Sequence, residues 1–244
     1  MSDAHIILNH VSVAFPIYNT SNRSLKKRVL NAATGGKIAS DSSKKVVIQS
    51  LTDINLNIQK GDKIGLIGHN GAGKSTLLRV FSGVYSPSSG SIDVQGKVVS
   101  LLDISVGLDG ESTGFENIML RGVLLGFSPK EIEQKINDIA EFSELGDFLN
   151  MPIRTYSSGM VMRLAFSIIT SFPADIILMD EWLSVGDANF SQKAKKRLEE
   201  MVAQSSILII ASHDPDMINQ LCNKVITLEH GAIKNINIVS NNFK

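Results

Sequence analysis

The stretch GHNGAGKST, Gly68–Thr76, constrains this chain more than any other. It matches G-x-x-x-x-G-K-[ST] in full and stands between an apolar run, IGLIG, and a helical pattern, as a phosphate-cradling loop requires. Its glycines let the backbone wrap closely, so that successive N–H groups and the following helix N-terminus face negative charge. Gly68, His69, Asn70, Gly71, Ala72, Gly73, Lys74, Ser75 and Thr76 are therefore the expected nucleotide-binding residues. Within them, Lys74 is expected to reach the β- and γ-phosphates and Ser75 to offer its hydroxyl to Mg²⁺. The structural alternative is a Gly-rich strand–helix turn, and the full pattern in its strand–helix context speaks against it.

A second segment points to the same chemistry. DIILMDE, 175–181, ends an apolar run in two carboxylates. In open parallel sheets, ligands gather beyond the C-terminal strand ends, which is where Asp180 and Glu181 belong. Asp180 is expected to support Mg²⁺ and Glu181 to polarise the attacking water. Strand-end acids also cap helices, so this signal gains force only beside the phosphate loop. His213 follows a similar run, ILIIAS, and is expected at the same edge, bonding the γ-phosphate and holding the water in line. Its structural alternative is a capping or packing histidine.

The chain has 244 residues, with 24 Lys+Arg against 24 Asp+Glu, so its formal net charge is zero. That balance argues against a dedicated nucleic-acid binder, which carries a basic excess. Cys222 has no internal disulfide partner, which fits a reducing compartment. No apolar run approaches the ~20 residues that span a bilayer; Leu164–Thr170 and Ile207–Ala211 read as buried core. The N-terminus MSDAHIILNH lacks the features of a secretory leader.

Residues 5–15 and 52–59 alternate with period two, predicting half-exposed strands. Residues 19–45 interrupt them with a basic amphipathic stretch, Arg23–Arg28, and a polar loop. From Lys63 onward, short apolar runs without alternation predict strands covered on both faces. Helical patterns at Lys74–Ser82, Ser158–Phe172 and Ala188–Gln204 separate them, which implies a mostly parallel α/β sheet flanked by helices. The middle is different: ENIMLRGVLLGF and SPKEIEQKINDIAEFSELGDFL read as helices without intervening strands, a helical insertion. One domain over 1–244 follows, with a core of 5–113 and 173–235, a helical part at about 114–172, an inserted segment at 19–45 and a tail at 236–244. The whole of 231–244 reads as polar tail.

YSSGM, Tyr156–Met160, precedes a helix, so the N–H groups of Ser158 and Gly159 and the Ser157 hydroxyl form an expected anion site. One chain already has its phosphate loop. Two chains facing head to tail, each covering the other's nucleotide, give this second site an occupant. As a bare string it reads more readily as a Ser-capped helix start.

In order and spacing, the phosphate loop, helical insertion, YSSGM, DIILMDE and His213 resemble the ATP-binding cassette family over nearly the whole chain, with YSSGM similar to the signature usually written LSGGQ. More narrowly, ELGDFLNMPIRTYSSGMVMRLAFSI, DEWLSVGDANF and TGFENIMLRG resemble the ATPase subunits of bacterial O-antigen and capsule exporters. The resemblance implies an ABC-type P-loop ATPase core with an antiparallel β subdomain. It also implies a Mg²⁺-dependent ATPase acting as a homodimer on the cytoplasmic face of a bacterial inner membrane, bound to a polytopic permease that exports a lipid-linked polysaccharide. Another exported substrate is the alternative. Ser157 and Gly159 are implied to contact the partner copy's γ-phosphate, and Ser184–Asp187 to sit across the dimer seam. Phe15 or its rival Tyr18 is implied to stack on adenine, either ring being otherwise core.

The chain also departs from the family. Most cassettes carry a glutamine between the phosphate loop and the helical insertion; here the stretch reads SLLDISVGLDG, and Asp103 or Ser105 is the expected metal-side substitute. Some exporters of this group have a further C-terminal glycan-binding domain, and glycan selection by this tail is not expected. Arg23–Arg28 is either a solvated face or a contact for anionic lipid headgroups or a lipid-linked diphosphate. A soluble cassette acting on ribosomes or DNA is disfavoured by the single cassette and the neutral charge. A non-hydrolysing nucleotide-gated module is disfavoured by Lys74, Asp180, Glu181 and His213.

Overall fold

The structure is a computed structural model and describes residues 4–17, 37–40, 46–181 and 188–239. Tyr18, Arg23–Arg28 and Ser184–Asp187 lie outside the described residues. The chain divides into two compact units: Met1–Gly96 with Leu178–Glu181 and Ser206–Lys244, and Lys97–Ile177 with Trp182–Ser205.

The first unit holds an antiparallel sheet of β1 (His5–Ile17), β2 (Lys37–Ser40), β3 (Val46–Gln59) and β5 (Ser89–Gln95), in the order β2-β3-β1-β5. Its hydrophobic alternation changes phase. Ile6 and Leu8 are buried on β1, then Val11 and Val13; on β3, Leu51 is buried, then Ile54, Leu56 and Ile58. The pairing register of β1 with β3 shifts between Leu8 and Ala14. His10 and Asp53, each at φ 52, are the left-handed residues there. An extra residue in each strand returns the apolar side chains to one face, since a one-residue slip would otherwise turn them to solvent.

A second sheet runs in the order β10-β9-β4-β8-β7-β6. Its strands are β4 (Lys63–Ile67), β6 (Val98–Ser100), β7 (Ile176–Asp180), β8 (Ile207–Ala211), β9 (Lys224–Glu229) and β10 (Ala232–Ile238). β6 and the first two residues of β7 are counted with the second unit. β4 pairs in parallel with both β8 and β9. Every residue of β8 is buried, and so is Ile176–Met179 of β7. This is the two-sided burial that their unbroken apolar runs predict. β10 corrects the expectation of a polar tail over 231–244: Ala232–Ile238 is an edge strand antiparallel to β9. Its Asn residues alternate with Ile233, Ile236 and Ile238 too loosely to register as strand by pattern alone.

Helix α1 (Lys74–Phe81) follows β4 and buries Leu77, Leu78, Val80 and Phe81. α7 (Pro215–Leu221) follows β8 and is capped by Asp214, whose side chain accepts from the N–H groups of Asp216 and Met217.

The second unit is mostly helical: α2 (Gly114–Leu124), α3 (Pro129–Glu133), α4 (Ile136–Ser143), α5 (Ser158–Ile169) and α6 (Ala188–Gln204), with single 3₁₀ turns at Gly146–Asn150 and Ile153–Thr155. Thr113 with Glu116, and Ser128 with Glu131, form reciprocal capping boxes at the starts of α2 and α3. The run from Ser128 to Leu149, expected as one helix, is broken. Lys135 N–H bonds Ile132 O at 2.8 Å, tightening the last turn of α3, and Glu144 at φ 57 ends α4. Ile118, Phe127, Ile132, Ile139, Leu149, Leu164, Ile168 and Phe172 share one core. Within it, Phe127 stacks on Phe172 with ring centroids 4.2 Å apart. No helix among the described residues is long and apolar enough to cross a membrane.

Candidate active site

In the first unit, β4 delivers the chain into the loop Gly68–Gly73 and α1 leaves it at Lys74. The turn into the helix is made by Gly73 at φ 106, ψ 3, a left-handed N-cap with no side-chain capping bond. A Cβ at Gly73 would sit 2.8 Å from Leu51 Cδ2 and 3.0 Å from Ser50 O; one at Gly68 would sit 2.4 Å from Leu228 O. The first intrahelical donor is the Leu77 N–H, to Gly73 O at 2.9 Å. The N–H groups of Lys74, Ser75 and Thr76 precede it and point out of the helix start, the geometry of an anion site.

The loop is braced from neighbours that its own motif does not reveal. Gly231 N–H donates to Ala72 O at 3.0 Å, and Thr52 N–H donates to Gly231 O at 2.8 Å. Ser50 and Thr76 share a hydroxyl hydrogen bond at 2.8 Å. The rings of His69 and His230 lie 5.1 Å apart. Ser50, Gly231 and His230 were missed by sequence reasoning. For His230 and Gly231 the local signal is the turn EHGA between two short apolar runs, which predicts a hairpin but not what it touches; Ser50 has none.

Lys74 is buried, and its ammonium donates to Gly68 O at 2.7 Å and His69 O at 3.4 Å. Both partners are neutral carbonyls of the loop, so the positive charge faces the loop interior. Ser75 Oγ donates to Asp180 Oδ2 at 2.6 Å, bringing the loop and the end of β7 together. A hydroxyl and a carboxylate oxygen side by side fit the hard oxygen ligation of Mg²⁺, which uses one or two protein oxygens and completes its shell with phosphate and water. Among the described residues there is no cluster of three His, Cys, Asp or Glu that would hold a metal unaided.

Glu181 is exposed and left-handed at φ 69. Its N–H donates to Ala211 O at 2.7 Å, which ties the bend to β8. Left-handed backbone at a non-glycine residue stores on the order of 1–3 kcal/mol and concentrates at functional sites. One strand over, Ser212 N–H donates to Leu66 O at 3.3 Å, and Asp214 N–H donates to Ser212 Oγ at 3.0 Å. These bonds set the exposed His213 at the mouth of a cavity of about 280 Å³, which it lines together with Ile67, Gly68, Ser212 and Pro215. His213 and the first loop glycine therefore share one opening.

Phe15 is half-buried and meets Tyr85 edge-on, centroids 5.2 Å apart at 70°. Arg79 lies 5.9 Å from the Tyr85 centroid. Its rival Tyr18, and Asp187, are outside the described residues.

In the second unit, Ser157 caps α5: its Oγ accepts from Met160 N–H at 3.3 Å. The N–H groups of Ser158 and Gly159 open the helix, and both residues line a cavity of about 570 Å³ with Glu144, Phe148 and Arg163. Tyr156, which stands where the resembled signature has Leu, donates its hydroxyl to Phe148 O at 2.5 Å, and burial raises its pKa above the usual phenol value. Asp103 and Ser105 are exposed on the segment between β6 and α2.

Residues 51–184 match the ABC transporter family. The chain is 46% identical over 228 residues, 93% of its length and 95% of the relative's, to the O-antigen export system ATP-binding protein RfbE of Yersinia enterocolitica. It is 36% identical over 229 residues, 94% of its length and 65% of the relative's, to the teichoic acids export ATP-binding protein TagH of Listeria innocua. Among solved structures, a dimeric post-hydrolysis state of the ATP-binding cassette MJ0796 bound to ADP and phosphate has a TM-score of 0.67 at 18% identity, covering 97% of this chain and 99% of that one, a likeness of fold. The chain is a member of the ABC transporter family, related over nearly its whole length to ATP-binding proteins of O-antigen export systems.

Proposed function

We propose that this chain hydrolyses Mg·ATP to drive export of a lipid-linked polysaccharide of O-antigen type through a separate membrane subunit, from the cytoplasmic face of a bacterial inner membrane. The observation that carries the hydrolytic part is the 2.6 Å bond from Ser75 to Asp180 at the mouth of the anion loop, with left-handed Glu181 next in the chain. The O-antigen part rests on the relatedness to RfbE.

The open N–H groups at the start of α1 and the Lys74 ammonium hold the β- and γ-phosphates, neutralising charge that grows on the leaving ADP. Ser75 and Asp180 would hold Mg²⁺, which when bound would supply charge neutralisation at the phosphate oxygens. The Glu181 carboxylate accepts a proton from a water as that water attacks the γ-phosphorus. The bond from phosphorus to the β,γ-bridging oxygen breaks, leaving ADP and inorganic phosphate. His213 orients the water by hydrogen bonding. Phe15 or Tyr18 supplies the adenine-stacking face, and Asp103 or Ser105 lies on the segment that stands for the absent glutamine. In a head-to-tail homodimer, Ser157, Ser158 and Gly159 of one copy close over the γ-phosphate held by the other, and Asp187 lies at the seam.

Phosphate release by the purified chain tests this. Turnover should require Mg²⁺ and fall on the order of 10²-fold or more in Glu181→Gln, the scale of a lost general base, while ATP binding persists. Undiminished turnover in that variant refutes the base assignment. A second reading, export of another glycopolymer, is favoured by the relatedness to TagH. The glycan that disappears from the cell surface on Lys74→Ala separates the two.

A further inference from the structure

The antiparallel sheet of the first unit has one face in the core and one face open. Ile6 and Leu8 of β1, and Ile54, Leu56 and Ile58 of β3, are buried. Side chains alternate along a strand, so the residues between them turn outward. Strand pairing sets these in rows across β5, β1 and β3: Gln95, His5 and Gln59 in one, Asp93, Ile7 and Asn57 in the next. A third row pairs Ser91 with Asn9, and Asn55 stands beside it, two residues along β3 from Asn57. His5 and Ile7 are half-buried and the other members are exposed.

The composition of these rows is not that of a face chosen for strand stability. Asn9, Asn55, Asn57, Gln59 and Gln95 are amides, and none of the members is Lys, Arg or Thr. Asn is depleted in strands, where a solvated face kept only for stability favours Thr and other β-branched residues. The side chains of Asn9, Asn57 and Gln59 make no hydrogen bond among the described residues. Asp93, the sole acid of the rows, bonds His5 Nε2 at 3.1 Å and accepts from Gln95 Nε2 at 3.5 Å. Those bonds, His5 first, hold its carboxyl below the usual carboxylate range, so it stays an acceptor.

We propose that this face binds the exported glycan, as an uncharged, hydroxyl-rich stretch of sugar rings laid flat across β5, β1 and β3. The proposal rests on the reading of the chain as the ATPase of a polysaccharide exporter. Each amide offers an acceptor oxygen and two N–H donors, which match sugar hydroxyls that both donate and accept. Ile7, at the centre of the rows, meets the C–H face of a ring. Neighbouring strands lie about 5 Å apart, so one ring reaches groups on two of them. Charge selects the occupant. No lysine or arginine stands in the rows and the one acid is bonded to a histidine, so a nucleic acid, an anionic bilayer or a phosphate-bearing glycopolymer finds no cation there. A second copy of the chain finds one apolar side chain, too little for the apolar centre of a protein interface. Single contacts of this kind are weak against water, and a polymer that repeats its unit raises the apparent affinity by offering many equivalent stretches.

The test titrates the complete, nitrogen-15-labelled chain with the polysaccharide released by mild acid from the lipopolysaccharide of the bacterium that encodes it, and with polygalacturonate as a polyanion. The side-chain amide resonances of Asn9, Asn57 and Gln59 should shift with the released polysaccharide and stay in place with polygalacturonate. Asn57→Thr combined with Gln59→Thr should weaken the binding by about tenfold, the scale of two neutral hydrogen bonds. The same variant should hydrolyse ATP like the parent and keep or raise its urea midpoint, because Thr favours strands. If it does not fold, Asn9→Thr on β1 decides instead, with a loss of about threefold for one such bond. Resonances that do not move, shifts confined to residues outside the rows, an equal response to polygalacturonate, or undiminished affinity in the folded variant each overturn the proposal. Export is read separately: surface polysaccharide that persists in a Lys74→Ala strain counts against the function proposed above, whereas its loss from the surface, with no binding by the purified chain, counts against this face alone.

Discussion

Glu181, the base in the proposed hydrolysis, combines an exposed side chain with a left-handed backbone at φ 69. For an L residue the left-handed region costs roughly 1–2 kcal/mol, which glycine escapes. Glycine in turn loses about 0.5–1 kcal/mol through the freedom of its unfolded chain. The side chain is exposed, so its removal forfeits no buried packing. Glu181→Gly should therefore stabilise the nucleotide-free chain by about 0.5–1 kcal/mol, or ~1–4 °C in Tm for a chain of this size, while abolishing turnover. Glu181→Gln keeps the strain and should leave Tm unaltered while losing turnover to the same extent. Thermal or urea unfolding of both variants without nucleotide, beside a phosphate-release assay, reads both quantities. A Glu181→Gly chain less stable than the parent refutes the strain argument. A Glu181→Gln chain that still turns over refutes the catalytic one.

Lys74→Ala should leave the fold intact, because among the described residues its ammonium meets only the Gly68 and His69 carbonyls. It should weaken ATP binding by about tenfold or more in a fluorescent-nucleotide titration, as loss of a charge-assisted contact predicts. Tyr156→Phe removes the hydroxyl that bonds Phe148 O, and should lower unfolding stability by about 0.5–1.5 kcal/mol in urea; an unaltered midpoint would show that bond to be dispensable. Burial, opposed by the nearby Lys63 charge, raises the Cys222 thiol from 9.0 to about 12. Native protein at pH 8 should thus resist thiol reagents until it unfolds. The raised pKa means that this group's contribution is fully present below pH 9.0 and is lost as pH rises toward about 12, measurable as a falling urea midpoint.

Much of the site was legible because its parts are local. Gly68–Thr76 specifies a loop through the conformations that glycine permits, and the apolar runs of β7 and β8 deliver Asp180 and His213 to strand ends whatever surrounds them. The breaks between α3, α4 and the following turn were not legible. Apolar periodicity continues across them, while single bonds such as Lys135 N–H to Ile132 O decide where the helix stops.

What the sequence determined alone, then, was the kind of chemistry and the succession of strands and helices, since backbone conformation and periodic burial are encoded within a few residues. Tertiary structure decided which distant groups meet: Ser75 with Asp180, and the Gly231 turn with Ala72. Those contacts join residues far apart in the chain, and their pairing depends on how strands and helices close on one another. No spacing along the sequence carries that information.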